Sequence, residues 1–121
     1  MYFKHNNINI YYEKYGIKNN VILILPGWGN TRQTFYNIIN HFKDNHTIYI
    51  FDYPGFGNSP IPKKTLTIYN YAEIIKTFIE KNNITNPTAA FINSLKNIFI
   101  GHINNLIIII NAITPPIAPN I

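Results

Sequence analysis

Val21-Ile22-Leu23-Ile24-Leu25-Pro26-Gly27-Trp28-Gly29 is the stretch that decides the fold. Five apolar residues in a row, stopped by Pro-Gly, show no polar alternation. A strand of this kind has both faces covered, as in a parallel sheet flanked by helices. Beyond the turn, Thr31 suits a helix N-cap, and Phe35, Ile38, Ile39 and Phe42 recur at helical spacing. Thr47 to Phe51 is a second β-branched and aromatic run, closed by Asp52-Tyr53-Pro54-Gly55-Phe56-Gly57-Asn58-Ser59-Pro60. Thr65 or Thr67 can cap a further helix in which Ile68, Tyr71, Ile75, Phe78 and Ile79 face one way and Asn70, Glu73, Lys76 and Glu80 the other. That helix ends near Asn82-Asn83. Upstream, Ile8 to Tyr15 reads as a strand ending at Gly16, and Tyr2 to His5 can pair with it across Asn6-Asn7.

Strand, helix, strand, helix at these lengths requires right-handed crossovers. The expected class is therefore α/β: a partial sheet, mostly parallel, with an N-terminal hairpin and crossover helices. Ligands of such sheets bind beyond the carboxyl ends of the strands, which directs attention to Pro26–Asn30 and Asp52–Ser59. A chain of 121 residues is one domain. Residues 1–87 carry the α/β pattern, and residues 88–121 form an apolar tail of the same domain, in which Lys96 is the only charge.

Composition excludes several classes. Hydrophobic residues make up 46% and aromatics 15%, enough to drive collapse although only 12% of residues are charged. The net charge of +5 comes from lysines scattered along the chain and one arginine, Arg32, so there is no basic stripe for nucleic acid. His5, His41 and His46 show no metal-ligand spacing, and no metal or other cofactor is expected. A dinucleotide reading of Gly55-Phe56-Gly57 fails because Pro60 and Pro62 prevent a helix from starting where a pyrophosphate needs one. Met1 to Ile10 has no signal-peptide core, and the longest apolar run, Leu106 to Ile110, falls far short of the roughly 18 residues of a membrane span. No membrane partner is expected. With no cysteine, the cytoplasm is the default location.

Leu25-Pro26-Gly27-Trp28-Gly29 with Thr34-Phe35 on the following helix, then Asp52-Tyr53-Pro54-Gly55-Phe56-Gly57-Asn58-Ser59 after the next strand, resemble the paired loops of α/β-hydrolases. The similarity spans Ile8 to Pro87. It implies serine hydrolysis of carboxylic esters or similar acyl substrates as the template chemistry. It also implies that the backbone N–H of Trp28 is an oxyanion-hole donor, aimed by a turn that Gly27 and Gly29 allow. Many members carry histidine where this chain has Pro26. Trp28 can also wall a pocket for a small apolar or acyl ligand. Asp52, Gly55 and Gly57 are loop-forming residues; in the family's order the acid follows the nucleophile, so Asp52 is read as holding its loop through an Asx-type turn.

The departure from the family comes next, where a G-x-S-x-G elbow is due. One register puts Ser94 at the nucleophile within Ile92-Asn93-Ser94-Leu95-Lys96, with Ile92 and Lys96 in place of glycines. The other aligns Ile98-Phe99-Ile100-Gly101-His102 with the strand and places Ile103, which has no nucleophilic atom, at the serine. No Asp or Glu follows Glu80 to orient His102. No catalytic residue is assigned, and the chain is expected to be an inactive front half, cut off before the catalytic acid and histidine. The alternatives are a noncatalytic remnant that binds a small apolar ligand or a partner chain, and a frame-disrupted product. An unfinished sheet edge would favour self-association, with Leu106 to Ile110 as the exposed template.

Overall fold

The computed structural model describes residues 1–26, 32–85, 87–92 and 98–102. In chain order these form β1 (Tyr2–His5), β2 (Ile8–Tyr15), β3 (Val21–Leu25), a 3-10 turn (Arg32–Phe35), α1 (Tyr36–Phe42), β4 (Thr47–Phe51), α2 (Ile68–Lys81), β5 (Thr88–Ile92) and β6 (Ile98–His102). The strands make one sheet in the order β1-β2-β4-β3-β5-β6.

The parallel pairing expected from the sequence occupies the middle of this sheet, where β4, β3 and β5 run together. Antiparallel strands flank it on both sides: β1 and β2 at one edge, β6 at the other. Connection length explains the difference. A parallel return takes a dozen or more residues, which the α1 and α2 crossovers supply. Only Asn6-Asn7 separate β1 from β2, and only residues 93–97 separate β5 from β6, so both links must reverse the chain. Asn6 and Asn7 both take positive φ, 46° and 64°, as a two-residue turn matched to strand twist demands.

Alternation along β3 and β4 sends successive side chains to two cores. Leu23, Leu25, Tyr49 and Phe51 meet Tyr71, Ala72, Ile75 and Phe78 of α2. Ile22, Ile24, Ile48 and Ile50 meet Phe35 and Ile39 on the other face. Phe78 anchors the first core, with its ring centroid 4.6 Å from Phe51, 4.9 Å from Phe3, 5.0 Å from Tyr12 and 5.1 Å from Tyr49. α2 starts at Thr67, which accepts from the Asn70 backbone N–H while the Asn70 side chain accepts from Thr67 N–H. This reciprocal cap satisfies donors that would otherwise lack partners in the first turn. Gly16, at φ +79°, lets the β2–β3 link press against the turn before β4; a Cβ there would strike the carbonyl oxygens of His46 and Lys43.

Candidate functional site

The carboxyl ends of β3, β4 and β5 face the same way, and the loops leaving them are where this architecture places chemistry. β3 runs into the buried Pro26. Gly27, Trp28 and Gly29, the expected oxyanion turn, lie outside the described residues, as does the expected cap Thr31. Arg32 is the first described residue beyond them, and its guanidinium organises the end of β4.

β4 runs into Asp52, whose two carboxylate oxygens each accept a bond. Arg32 Nε donates to Oδ1 at 2.9 Å and the Asn58 backbone N–H donates to Oδ2 at 2.8 Å. Gly57, at φ +49°, sits against this carboxylate, and a Cβ there would overlap it. Ser59 completes the knot: its Oγ donates to the Asp52 carbonyl at 2.6 Å and accepts from Tyr11 N–H at 2.8 Å. Between these anchors the Phe56 N–H donates to the Tyr53 carbonyl at 2.9 Å, closing a turn over Pro54 and Gly55, where glycine supplies the positive φ of 88°. The loop-holding role assigned to Asp52 is thus carried by a bond six residues on and by a cation, rather than by an Asx-type turn.

Arg32 bridges two acids. Besides Asp52, it donates through Nη1 to Glu13 Oε2 at 2.7 Å, and its guanidinium lies 4.7 Å over the Tyr11 ring. Tyr11, Tyr15 and Tyr36 also donate to Glu13, at 3.0, 3.0 and 3.2 Å. Desolvation pushes the Glu13 carboxyl up, but the hydrogen bonds from Tyr15, Arg32 and Tyr11 and the Arg32 charge outweigh it, leaving the group below its usual value. Desolvation and the bond to Glu13 push the Tyr15 hydroxyl up to about 12. Both oxygens of Asp52 thus accept bonds from within the fold, and with Glu13 and Arg32 it ties the 3-10 turn and β2 to the end of β4.

β5 runs parallel to β3, with Leu25 opposite Phe91, so the chain leaves the carboxyl end of β5 at Ile92. That position corresponds to the Ser94 register. Ser94 itself lies outside the described residues. The alternative register on Ile98–His102 fails because β6 is antiparallel: Ile98 pairs with Ile92 and His102 with Thr88. His102 consequently sits at the amino end of β5, roughly 13 Å of strand from the carboxyl edge. Among the other histidines, the His5 ring is 3.3 Å from the Asn6 amide and His46 Nδ1 is 3.3 Å from the Phe42 carbonyl. No group of potential metal ligands occurs among the described residues. No helix among them is long and apolar enough to cross a membrane.

A groove of about 730 Å³ opens on the same side of the sheet, farther toward the β1–β2 edge. Tyr12 pairs with Phe51, so the β1–β2 turn lies beyond the end of β4 and forms one wall of this groove. The segment from Pro60 to Leu66 forms the other. Neither the groove nor the Arg32 cluster was visible in the sequence. The available signals were the Tyr11-Glu13-Tyr15 alternation on one strand face and the single arginine just after the first loop.

The family model of the alpha/beta hydrolase fold matches residues 20–95. Similar solved structures include an alpha/beta hydrolase fold protein from Burkholderia ambifaria, with TM-score 0.70 and 16% identity over 77% of this chain and 34% of that one. An alpha/beta hydrolase enzyme from a Medee basin deep-sea metagenome library matches with TM-score 0.69 and 25% identity over 76% of this chain and 34% of that one. A Bacillus megaterium epoxide hydrolase matches with TM-score 0.70 and 21% identity over 77% of this chain and 33% of that one. This chain thus spans about a third of the length of these structures. No curated protein matches it.

Proposed function

Since the chain belongs to the α/β-hydrolase fold family, we propose that it holds the substrate-oxygen side of a hydrolase site and that these 121 residues do not turn over esters. The template reaction is attack by a serine on a carboxylic ester or similar acyl group, with Trp28 N–H as one oxyanion donor. The observation that carries the reading is the five-residue link from β5 to antiparallel β6. A nucleophile elbow is a strand-to-helix turn, and the N–H following the nucleophile supplies the second oxyanion donor. Five residues lie between β5 and the antiparallel β6, fewer than a crossover takes, and Ile92 and Lys96 occupy the places of the two glycines in the sequence. The bonds from Arg32 and Asn58 give Asp52 a structural role, and its place before any nucleophile in the chain supports the same conclusion.

The test is hydrolysis of p-nitrophenyl acetate and butyrate by the purified chain beside Ser94→Ala. Equal rates are expected. A clear fall in the Ser94→Ala rate would make Ser94 a nucleophile and overturn the proposal.

A further inference from the structure

The groove beyond β4 is lined by residues 5–9, 60–66, Asn70 and Ile74, and it shares no residue with the Arg32 cluster. Its floor is apolar, from Ile8, Leu66 and the buried Ile74. Its rim carries the amides of Asn6, Asn7 and Asn9; among the described residues its formal charges are Lys63 and Lys64, and none that line it is acidic. At about 730 Å³ it falls within the usual range of small-ligand sites.

Both walls are set before anything binds. Asn6 and Asn7 are held in the positive-φ turn that the β1–β2 pairing imposes, with His5 opposite Ile8. The facing segment begins Pro60-Ile61-Pro62, where each proline fixes its own φ. Its start is tied down by the Gly55 N–H, which donates to the Pro60 carbonyl at 3.0 Å. Its end is held by Leu66, which packs against the α2 core, and by the Thr67 cap. Preorganised walls lower the ordering cost of binding.

We propose that this groove binds a small amphipathic carboxylate, its hydrocarbon body on Ile8, Leu66 and Ile74 and its anionic head at Lys63 and Lys64. Charge complementarity selects the anion, because the described lining residues include two cations and no acid. The apolar floor selects a ligand with a hydrocarbon body over a bare inorganic ion.

The experiment is an amide chemical-shift titration of the full chain with hexanoate, hexan-1-ol and inorganic phosphate at neutral pH. Hexanoate should saturate, with shifts concentrated at residues 5–9 and 60–66. Hexan-1-ol, which lacks the charge, and phosphate, which lacks the body, should each bind at least about fivefold more weakly. Lys63→Gln combined with Lys64→Gln should weaken hexanoate about tenfold while leaving hexan-1-ol unchanged, which also reports that the groove is still folded. The proposal is overturned if hexanoate gives no saturable shifts, if the shifts fall elsewhere, or if the double variant binds hexanoate as tightly as the parent. Phosphate binding as tightly as hexanoate would equally overturn it. None of these outcomes depends on ester turnover, so the hydrolase reading stands or falls separately.

Discussion

Replacing Asp52 by alanine removes a carboxylate that is 7% exposed and accepts two bonds, from Arg32 Nε at 2.9 Å and from Asn58 N–H at 2.8 Å. A hydrogen bond to a charged group contributes about 1.5–3 kcal/mol, and stranding a buried partner adds to the loss. The Arg32 side is partly protected because Glu13 still holds Nη1 at 2.7 Å. We therefore expect Asp52→Ala to cost about 3–4 kcal/mol, a large part of the stability of a domain this size. Asp52→Asn keeps an acceptor for Asn58 but loses the charge, and should cost about half as much. Urea unfolding followed by far-UV circular dichroism reads the difference: with an unchanged slope, the alanine midpoint should fall by about 2 M. A second substitution tests the geometry. Gly57→Ala drives a Cβ into the Asp52 carboxylate, so its penalty should shrink by at least about 1 kcal/mol in the Asp52→Ala background, leaving only the strain of φ +49°. A loss below about 1 kcal/mol for Asp52→Ala, or strict additivity with Gly57→Ala, would refute the account of Asp52 as the knot of its loop.

Phe78→Ala, which empties the centre of the aromatic core, should cost about 3–5 kcal/mol in the same unfolding assay. Thr67→Ala should cost about 1 kcal/mol by removing the α2 cap, without changing the fold seen by circular dichroism. The folded Glu13 carboxyl lies below its ordinary value, so its contribution is present above the usual glutamate range, near about 4.3, and is lost as pH falls through the folded value. Unfolding midpoints measured across that window should decline less steeply in Glu13→Gln than in the parent. β6 is an edge among the described strands, and Leu106 to Ile110 is an uncharged apolar run. Sedimentation velocity should accordingly show concentration-dependent association that Ile108→Lys reduces.

The elements that could be read from the sequence are those whose burial is written into consecutive residues. β3 and β4 are apolar on both faces, so no register error can hide them, whereas the start of α2 was narrowed only to Thr65 or Thr67, and the reciprocal bonds with Asn70 select Thr67. The Asn6-Asn7 turn was equally legible because few residues other than glycine accept positive φ twice in succession. Ile98–His102 could be aligned with a strand in one register, but its direction could not be read, because direction is set by the length of the link and not by the strand's own residues. The Arg32 cluster was hidden for a different reason. Glu13 on β2, Arg32 on the 3-10 turn and Asp52 just past β4 become neighbours only when β2 pairs with β4 and the 3-10 turn comes alongside them. Ser59 was likewise just a loop residue until Tyr11 came alongside.

The strand order also dictates when the sheet can close during synthesis. β3 is made early, yet its two neighbours, β4 and β5, both follow it in the chain, and β5 is complete only at Ile92. At about 5–20 residues per second, the ribosome takes several seconds to travel from Leu25 to Ile92. Throughout that interval one side of Val21-Ile22-Leu23-Ile24-Leu25 has no partner, and this is among the stickiest segments of the molecule. The nascent chain is thus most vulnerable at its future centre, and an early-acting chaperone would find its target there, on a strand that the finished fold hides almost completely.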